Sequence, residues 1–203
     1  MIPMTATDSR NLAAQLAHTD PARGLVIARR IKDPWFACQA LAWVARYCAE
    51  EEFEQIIKEA FRAGGKAEDP YKTVASAAWP VRALVERGHL GRLLSIITEL
   101  KTQAGKIDLL ASRSESLFLV FQAVFPAGRE YWLDVLHALQ ESSEPMINWR
   151  QGRNLRDAVW MVWEEDEGLA KSIIDNLEPG RLKRQIESRI ASERHRLPRP
   201  FFW

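Results

Sequence analysis

The chain has 203 residues, of which 47% are apolar and 27% are charged, and its formal net charge at pH 7 is +1. This balance is typical of a soluble globular protein, and it excludes a disordered or collagen-like chain. The length suits one domain with a substantial core. We therefore expect residues 1–203 to form a single domain, with 197–203 as a short C-terminal tail.

The sequence favours a cytoplasmic location without a membrane partner. Residues 1–8 lack the basic segment and the apolar stretch of a secretory signal. The longest strongly apolar run, 117–121, is far too short to span a bilayer. Cys38 and Cys48 lie in one predicted helix, about 15 Å apart along its axis, so a disulfide between them is excluded and buried thiols are expected. Reduced cysteines suit the cytosol.

Helix start and stop signals recur along the chain. Asp20-Pro21, Asp33-Pro34 and Asp69-Pro70 each place an acceptor side chain at the N-cap and a proline at the first helical position. Glu178-Pro179 predicts another start of the same kind. Glycines after apolar runs predict helix ends, as at Gly64-Gly65. No segment alternates between apolar and polar residues with the period of a strand, so the predicted fold class is all-α.

The signals divide the chain into a short N-terminal helix near 9–17 and about five antiparallel helix pairs. The second helix of each pair is the more apolar, so we expect the second helices to line the core and the first helices to cover it. Pro80 removes the backbone hydrogen bond to Ser76 and predicts a kink. The predicted pairs are 21–31 with 34–48, 50–63 with 70–87, 89–103 with 112–125, 129–141 with 150–164, and 166–177 with 179–195.

Two segments match at an offset of 36 residues. The first copy starts at Asp33-Pro34-Trp35 and the second at Asp69-Pro70-Tyr71. A fixed period of this length on helical segments is typical of stacked helical hairpins. Trp160 continues the pattern 81 residues after Trp79, without an Asp-Pro start. The other matched residues are Ala42 with Ala78, Trp43 with Trp79, and Arg46 with Arg82.

On these residues, together with Val74, Ala77 and Ala78 of the second copy, the chain resembles the HEAT-like and tetratricopeptide-like α-solenoid repeat proteins. Ala75 stands where HEAT-like units usually carry an arginine. The resemblance implies a right-handed superhelical array of helix pairs. It also implies a concave face that binds a protein or peptide, or in some members a nucleic acid.

The sequence contains no motif for metal, cofactor or catalytic chemistry. The four histidines are scattered, and no Cys-x-x-Cys or His-x-x-x-His spacing of a zinc site occurs. Phosphate-binding glycine loops and nucleophile motifs are also missing. We therefore expect no metal and no cofactor, and we favour a protein that is not an enzyme. The activity itself stays open, because catalytic residues assembled from distant positions leave no local pattern.

One cluster of an aromatic ring and arginines is a candidate binding site. Trp149 stands beside Arg150 and Arg153, with Arg156 and Asp157 a turn further on. A ring next to guanidinium groups can stack on a nucleic-acid base or hold an acidic peptide. The alternative is a half-buried ring beside surface arginines. We name these five residues as the candidate site, and we name no catalytic residue.

The C-terminal end is basic. Residues 178–203 hold seven Lys or Arg against three Glu, and the remainder holds 21 against 24 acidic residues. On a helical projection Arg181, Arg184, Arg189 and Arg196 share one face. This face is either a patch for nucleic acid or another anionic surface, or the polar outer side of a capping helix.

The tail 197–203 ends in three aromatic residues, which seldom hang free in water. They either fold back on their own chain, which we favour, or dock on another molecule. Exchange of these aromatics between chains would make a homo-oligomer, so the oligomeric state stays open.

Two functions follow from these observations. The first is a non-enzymatic scaffold that binds a protein or peptide on its concave face. The second is a HEAT-like nucleic-acid-binding or DNA base-processing protein with the Trp149 cluster in its site. A net charge of +1 argues against the second, because nucleic-acid affinity comes mainly from phosphate neutralisation. It gains support if the arginines of 150–156 and 181–196 meet on one surface.

Overall fold

A computed structural model of the chain describes residues 4–144, 148–191 and 202, without the side chain of Arg189. The described residues form eleven α-helices and no strand, so the protein is all-α, as predicted. A short 3₁₀ turn, Phe125–Ala127, follows the seventh helix. The helices are α1 (Ala6–Ala17), α2 (Pro21–Arg30), α3 (Pro34–Ala45), α4 (Glu50–Gly64), α5 (Pro70–Glu86), α6 (Leu93–Ala104), α7 (Leu110–Val124), α8 (Arg129–Ser143), α9 (Trp149–Glu165), α10 (Glu167–Asn176) and α11 (Arg181–Ala191).

The three Asp-Pro pairs begin helices as predicted, because each aspartate accepts a hydrogen bond from a backbone N–H of the first turn. The acceptor-to-donor distances are 3.0 Å for Asp20, 3.2 Å for Asp33 and 2.8 Å for Asp69. The prediction that Glu178-Pro179 begins a helix is wrong, since α11 begins at Arg181. Glutamate is a poor N-cap, and the backbone carbonyl of Gly180 accepts the first helical bond, from the Arg184 N–H.

Three other predicted boundaries differ by three or four residues. The N-terminal helix predicted near 9–17 begins at Ala6, because Thr5 and Asp8 form a capping box. The helix predicted at 89–103 begins only at Leu93, because Gly88 has a φ of 73° and residues 88–92 form a turn. The helix predicted at 34–48 ends at Ala45, and residues 46–48 turn into α4. The predicted end of the last helix, 192–195, lies outside the described residues.

The odd-numbered helices contact one another in chain order, from α1 to α11. Each even-numbered helix contacts the odd-numbered helices before and after it. The helices α3, α5, α7 and α9 carry most of the buried residues, whereas the even-numbered helices expose their charged faces. The prediction that the second helix of each pair lines the core is therefore confirmed for the first four predicted pairs. It fails in the fifth, where α10 buries Ala170, Ile173 and Ile174, whereas the described buried residues of α11 are Leu182 and Ile186.

The 36-residue repeat brings equivalent side chains into direct contact. The rings of Trp35 and Tyr71 stack with their centroids 6.3 Å apart. Arg46 and Arg82 both bind the carboxylate of Glu86, at 2.6 and 2.8 Å. The two segments that match at an offset of 36 residues thus lie in two neighbouring helices, α3 and α5.

Pro80 lies inside α5 without ending the helix. Because proline has no backbone N–H, the Ser76 carbonyl oxygen lacks its usual donor within the helix, and it accepts a hydrogen bond from another group. The Cys38 thiol donates to the Ser76 carbonyl oxygen, with the two heavy atoms 3.3 Å apart. Gly64 of α4 packs closely against the same pair of residues. A Cβ at this position would lie only 2.7 Å from Ser76 Oγ, so a larger residue would overlap with it. Complete burial raises the pKa of Cys38 to about 12. Both cysteines are buried free thiols, as predicted.

The C-terminal tail contacts its own chain at Phe202, which is 5% exposed. Its ring packs edge-on against Trp79 of α5, with the centroids 5.3 Å apart. The expected self-packing is confirmed for this residue, and the rest of 197–203 lies outside the described part of the chain. Within that part, none of the helices combines the length and the apolar character needed to span a bilayer.

Candidate functional site

The candidate cluster lies at the start of α9, where Asn148 caps the helix. The Asn148 side chain accepts from the Arg150 N–H at 2.9 Å. The Gln151 side chain completes a capping box, since its oxygen accepts from the Asn148 N–H at 2.9 Å. Sequence analysis missed this Asn-x-x-Gln signal, which places the helix start at Trp149 rather than at 150.

A buried polar network anchors this end of α9 to α7 and α8. Gln151 Nε2 donates to the Ser142 carbonyl oxygen at 3.0 Å. Asn154 Nδ2 donates to Ser114 Oγ at 3.3 Å, and Ser114 Oγ lies 3.2 Å from Ser143 Oγ. All five side chains are buried. We call these residues, Ser114, Ser142, Ser143, Gln151 and Asn154, the α7–α9 polar network.

The indole of Trp149 faces outward from this anchored turn. It is 68% exposed, so the alternative of a half-buried ring is wrong. The Arg150 and Arg153 guanidinium carbons lie 5.8 and 5.2 Å from its ring centroid. At these distances the face of the indole ring attracts each of the two guanidinium groups. The two arginines hold the indole in place while leaving much of its surface open to a ligand.

Beside Trp149 a cavity of about 470 Å³ opens between α9 and α11, and we call it the α9–α11 pocket. Its described lining contains three arginines and no carboxylate. The lining residues are Asn148, Trp149, Gly152, Arg153, Arg156, Arg181, Leu182 and Gln185.

The structure places the five predicted residues in three different settings. Trp149, Arg153 and Arg156 line the pocket, whereas Arg150 contacts the Trp149 ring without belonging to the lining. Asp157 is also outside the lining, and its Oδ1 binds the Arg156 guanidinium at 2.7 Å. Asp157 therefore positions an arginine of the pocket.

The arginines of the C-terminal basic face join the pocket only in part. Arg181 lines it, and Arg184 is exposed without being a lining residue. The Arg189 side chain and Arg196 lie outside the described residues. Leu182 and Ile186 of the same helix are buried.

Two carboxylates balance part of the positive charge around the pocket. Besides the bond from Asp157 to Arg156, Glu115 of α7 lies 3.8 Å from the Arg153 guanidinium. In the described part of the chain no carboxylate lies within 4.0 Å of the Arg150 or Arg181 guanidinium. A positive charge in excess of its local partners therefore remains at this surface.

The charged surface continues toward α5. Burial raises the pKa of the Tyr71 hydroxyl, the charge of Glu115 adds to this rise, and the charge of Arg150 opposes it. Tyr71 is therefore within electrostatic reach of both residues, and its other side stacks on Trp35 of α3.

Asn148, Gly152, Leu182, Gln185 and Glu115 were not predicted to belong to this site, and Arg181 was named only as part of the basic face of α11. Arg181, Leu182 and Gln185 line the pocket from α11, whereas Glu115 of α7 contacts Arg153 without lining the pocket. Both helices are distant in sequence from residues 149–157. The basic face of α11 was the only local signal, and it named Arg181 without indicating which helix it would meet.

The site can bind an anion through guanidinium groups and can pair with a ligand through side-chain amides. In the described part of the chain, no three His, Cys, Asp or Glu side chains are grouped so as to hold a metal ion. Comparison with family models, with curated proteins and with solved structures gives no match for this chain.

Proposed function

We propose that this protein is a non-enzymatic helical-repeat scaffold that binds an acidic segment of another protein at the α9–α11 pocket. The observation that carries the proposal is an exposed Trp149 beside a cavity lined by three arginines and no described carboxylate. A large exposed ring and desolvated arginines are the residue types that contribute most to protein interfaces.

We also propose that the helices form a right-handed superhelical array of about five pairs, like the HEAT-like and tetratricopeptide-like solenoids. The support is the order of contacts, in which odd-numbered helices follow one another and each even-numbered helix packs on two of them. The in-register contacts between α3 and α5 are those expected of consecutive repeats.

The chemistry of the pocket suits a peptide with carboxylate side chains. Arginine forks bind carboxylates with two parallel hydrogen bonds, and Asp157 holds Arg156 in one orientation before a ligand arrives. The side-chain amide of Gln185 can donate to and accept from a peptide backbone. The Trp149 ring offers an apolar face for a neighbouring side chain of the ligand.

A nucleic acid is the second candidate, because Arg181 joins Arg153 and Arg156 at one cavity. A base could stack on Trp149, and the arginines could neutralise the phosphates. One feature favours the peptide. The whole chain carries a net charge of only +1, and nucleic-acid affinity depends on neutralising many phosphates, whereas a peptide with a few carboxylates matches the three arginines of the pocket.

The test measures binding of a fluorescein-labelled Glu- and Asp-rich peptide to the full chain by fluorescence anisotropy. We expect Trp149→Ala and Arg181→Glu each to weaken binding about tenfold or more, since each removes a contact of more than about 1.4 kcal/mol. The control is Arg92→Glu, which makes the same change of charge at a side chain that is 73% exposed on the turn before α6.

An equal loss in Arg92→Glu would show that the peptide responds only to net charge, and it would contradict the proposal. A short single-stranded DNA is tested in parallel. If the DNA binds more tightly than the peptide, loses affinity steeply with salt, and depends on Trp149, the second candidate replaces the first.

A further inference from the structure

Another cavity lies between α2 and α4, in the first half of the chain, and we call it the α2–α4 groove. Its volume is about 300 Å³, at the lower end of the range for small-ligand sites. Both helices pack on α3, and an ion pair of Arg29 with Glu59 joins them across the groove. The described lining combines apolar residues with charged ones, so the groove offers two kinds of contact to a ligand.

The apolar part of the groove exists because small side chains line it from all three helices. Ala28 of α2, Ala37 of α3 and Ala63 of α4 leave space that larger residues would fill. Leu41 also lines the groove and is only 4% exposed. A ligand with an apolar body would therefore cover apolar surface here, which favours binding.

The charged part of the groove has more cations than carboxylates. Glu59 is the one carboxylate of the described lining, and both of its oxygens are already bound. Arg29 Nε and Nη2 donate to them at 2.8 and 2.9 Å, and Gln55 Nε2 donates at 3.1 Å. The hydrogen bond from Arg29 lowers the pKa of Glu59 and the charge of Arg62 adds to this effect, so Arg62 lies near the ion pair.

Three cations of the groove have no carboxylate partner in the described part of the chain. No described carboxylate oxygen lies within 4.0 Å of a side-chain nitrogen of Lys32, Arg62 or Lys66. All three residues are exposed and line the same cavity. An anion that entered the groove would meet these cations without displacing an existing ion pair.

The cavity on the other side of α4 provides a comparison. It lies between α4 and α6, has a volume of about 460 Å³, and is also lined by Arg62. There Glu54 binds Lys58 at 3.0 Å and lies 3.6 Å from Arg92. Two of its three Lys and Arg residues thus share a carboxylate, whereas the α2–α4 groove keeps three cations without one.

We propose that the α2–α4 groove binds a small organic phosphate, that is, a phosphate monoester on an apolar body. The phosphate group pairs with Lys32, Arg62 and Lys66, and the apolar body lies on Ala37 and Leu41. A phosphate monoester has three acceptor oxygens and about 1.5 to 2 negative charges at pH 7, so it can pair with several cations at once. A carboxylate has two oxygens and one charge, which matches three cations less well.

This site is independent of the one in the proposed function. The described linings of the α2–α4 groove and the α9–α11 pocket have no residue in common. The ligand of the groove is a small molecule, whereas the ligand of the pocket is a segment of a protein. Either proposal can therefore fail while the other stands.

The test uses isothermal titration calorimetry of the full chain with 1-naphthyl phosphate. For a ligand of this size we expect one site with a Kd on the order of 0.1 mM. Inorganic phosphate lacks the apolar body and 1-naphthol lacks the charge, so each should bind at least about tenfold more weakly. The single charge of 1-naphthoate should make its binding about threefold weaker or more.

Lys66→Glu tests the cations of the groove. Lys66 is exposed just after α4, so the fold should tolerate the change, and we expect the affinity for 1-naphthyl phosphate to fall at least about tenfold. The matched control is Lys106→Glu at the same place after α6. The backbone N–H groups of Lys66 and Lys106 make equivalent turn bonds, both of 3.1 Å, and Lys106 does not line the groove. The control should lose less than about twofold.

Ala63→Leu tests the apolar part without a change of charge. The larger side chain would fill the space that the alanine leaves, so 1-naphthyl phosphate should again bind about tenfold more weakly or worse. Arg181→Glu, in the α9–α11 pocket, should leave this affinity unchanged.

Several results overturn the proposal. Equal affinity for inorganic phosphate or for 1-naphthol would show that one part of the ligand suffices, and equal affinity for 1-naphthoate would remove the preference for phosphate. Equal losses in Lys66→Glu and Lys106→Glu would mean that only net charge matters. A loss in Arg92→Glu without one in Lys66→Glu would place the ligand in the cavity between α4 and α6.

Discussion

Two junctions in this fold each join one odd-numbered helix to the next odd-numbered helix: α3 to α5, and α7 to α9. Different kinds of contact hold the two junctions together. At the first, the Cys38 thiol donates to the Ser76 carbonyl oxygen, and paired rings and ion pairs flank a mostly apolar contact. At the second, Asn154 donates to Ser114 inside the α7–α9 polar network.

The difference shows what each junction requires of its residues. An apolar junction needs matching shapes, so its weak point is a small residue such as Gly64. A buried polar junction needs every donor and acceptor to be paired, because an unpaired buried group loses its hydrogen bonds to water and gains none within the protein. The polar junction is also the one beside the α9–α11 pocket, where it orients the start of α9.

The largest effect is expected at the polar junction. Gln151→Ala removes the partner of the Asn148 N–H and of the Ser142 carbonyl, and it leaves a cavity where a 1% exposed side chain lay. We expect the free energy of unfolding to fall by about 2–4 kcal/mol, measured by urea unfolding followed by circular dichroism.

The matched control for this change is Gln55→Ala. Gln55 is exposed on α4 and donates to Glu59 at 3.1 Å, so its loss should cost no more than about 0.5 kcal/mol. Similar losses in the two variants would mean that the polar junction is no more demanding than the surface.

A smaller loss is expected from Gly64→Ala at the apolar junction. The new methyl group would lie 2.7 Å from Ser76 Oγ and 3.2 Å from Cys38 Sγ. Relief of this overlap requires α4 to move away from α3 and α5, so we expect unfolding to become easier by about 1–3 kcal/mol in the same assay.

The neighbouring glycine provides the control. A Cβ on Gly65 would lie 3.4 Å from its nearest neighbour, so Gly65→Ala should change stability by less than about 0.5 kcal/mol. Ser76→Ala added to Gly64→Ala should restore part of the lost stability, because it removes the closest atom. If it restores none, steric overlap at Ser76 is not the cause.

At pH 10 we expect the thiol of the apolar junction to cause a loss at the lower end of the range given for Gly64→Ala. The pKa of Cys38 rises from 9.0 to about 12 on folding, so only the unfolded chain releases this proton between those values. Stability is unaffected below about pH 9, falls by about 1.4 kcal/mol by pH 10, and goes on falling up to about pH 12.

The check compares urea unfolding of the unmodified chain and of Cys38→Ala at pH 8 and pH 10. Cys48 is present in both chains, so the difference between their pH dependences isolates Cys38. Equal pH dependences would show that the Cys38 thiol is not protected by the fold.

The helices could be predicted from the sequence because their signals are local. An aspartate side chain at the N-cap reaches a backbone N–H two or three residues away, which is why Asp20, Asp33 and Asp69 marked three helix starts correctly. The same reasoning failed at Glu178-Pro179, because glutamate is a poor N-cap residue. The first helical hydrogen bond is accepted by the carbonyl of Gly180 instead.

The candidate site was predicted only as far as one helix extends. Trp149, Arg153 and Arg156 lie within two turns of α9, so their spacing alone placed them near one another. Which of them would face a cavity depended on α11, and the role of Asp157 depended on the rotamer that lets it bind Arg156.

The sequence by itself determined the fold class, most helix starts and most of the apolar faces that build the core, since these depend on contacts within a few residues. Only the tertiary structure decided that Arg181 joins the Trp149 cluster, that Glu115 faces Arg153, and that Phe202 rests on Trp79. Trp149 and Arg181 are 32 positions apart, Glu115 and Arg153 are 38 apart, and Trp79 and Phe202 are 123 apart, so tertiary packing rather than local spacing brings these residues together.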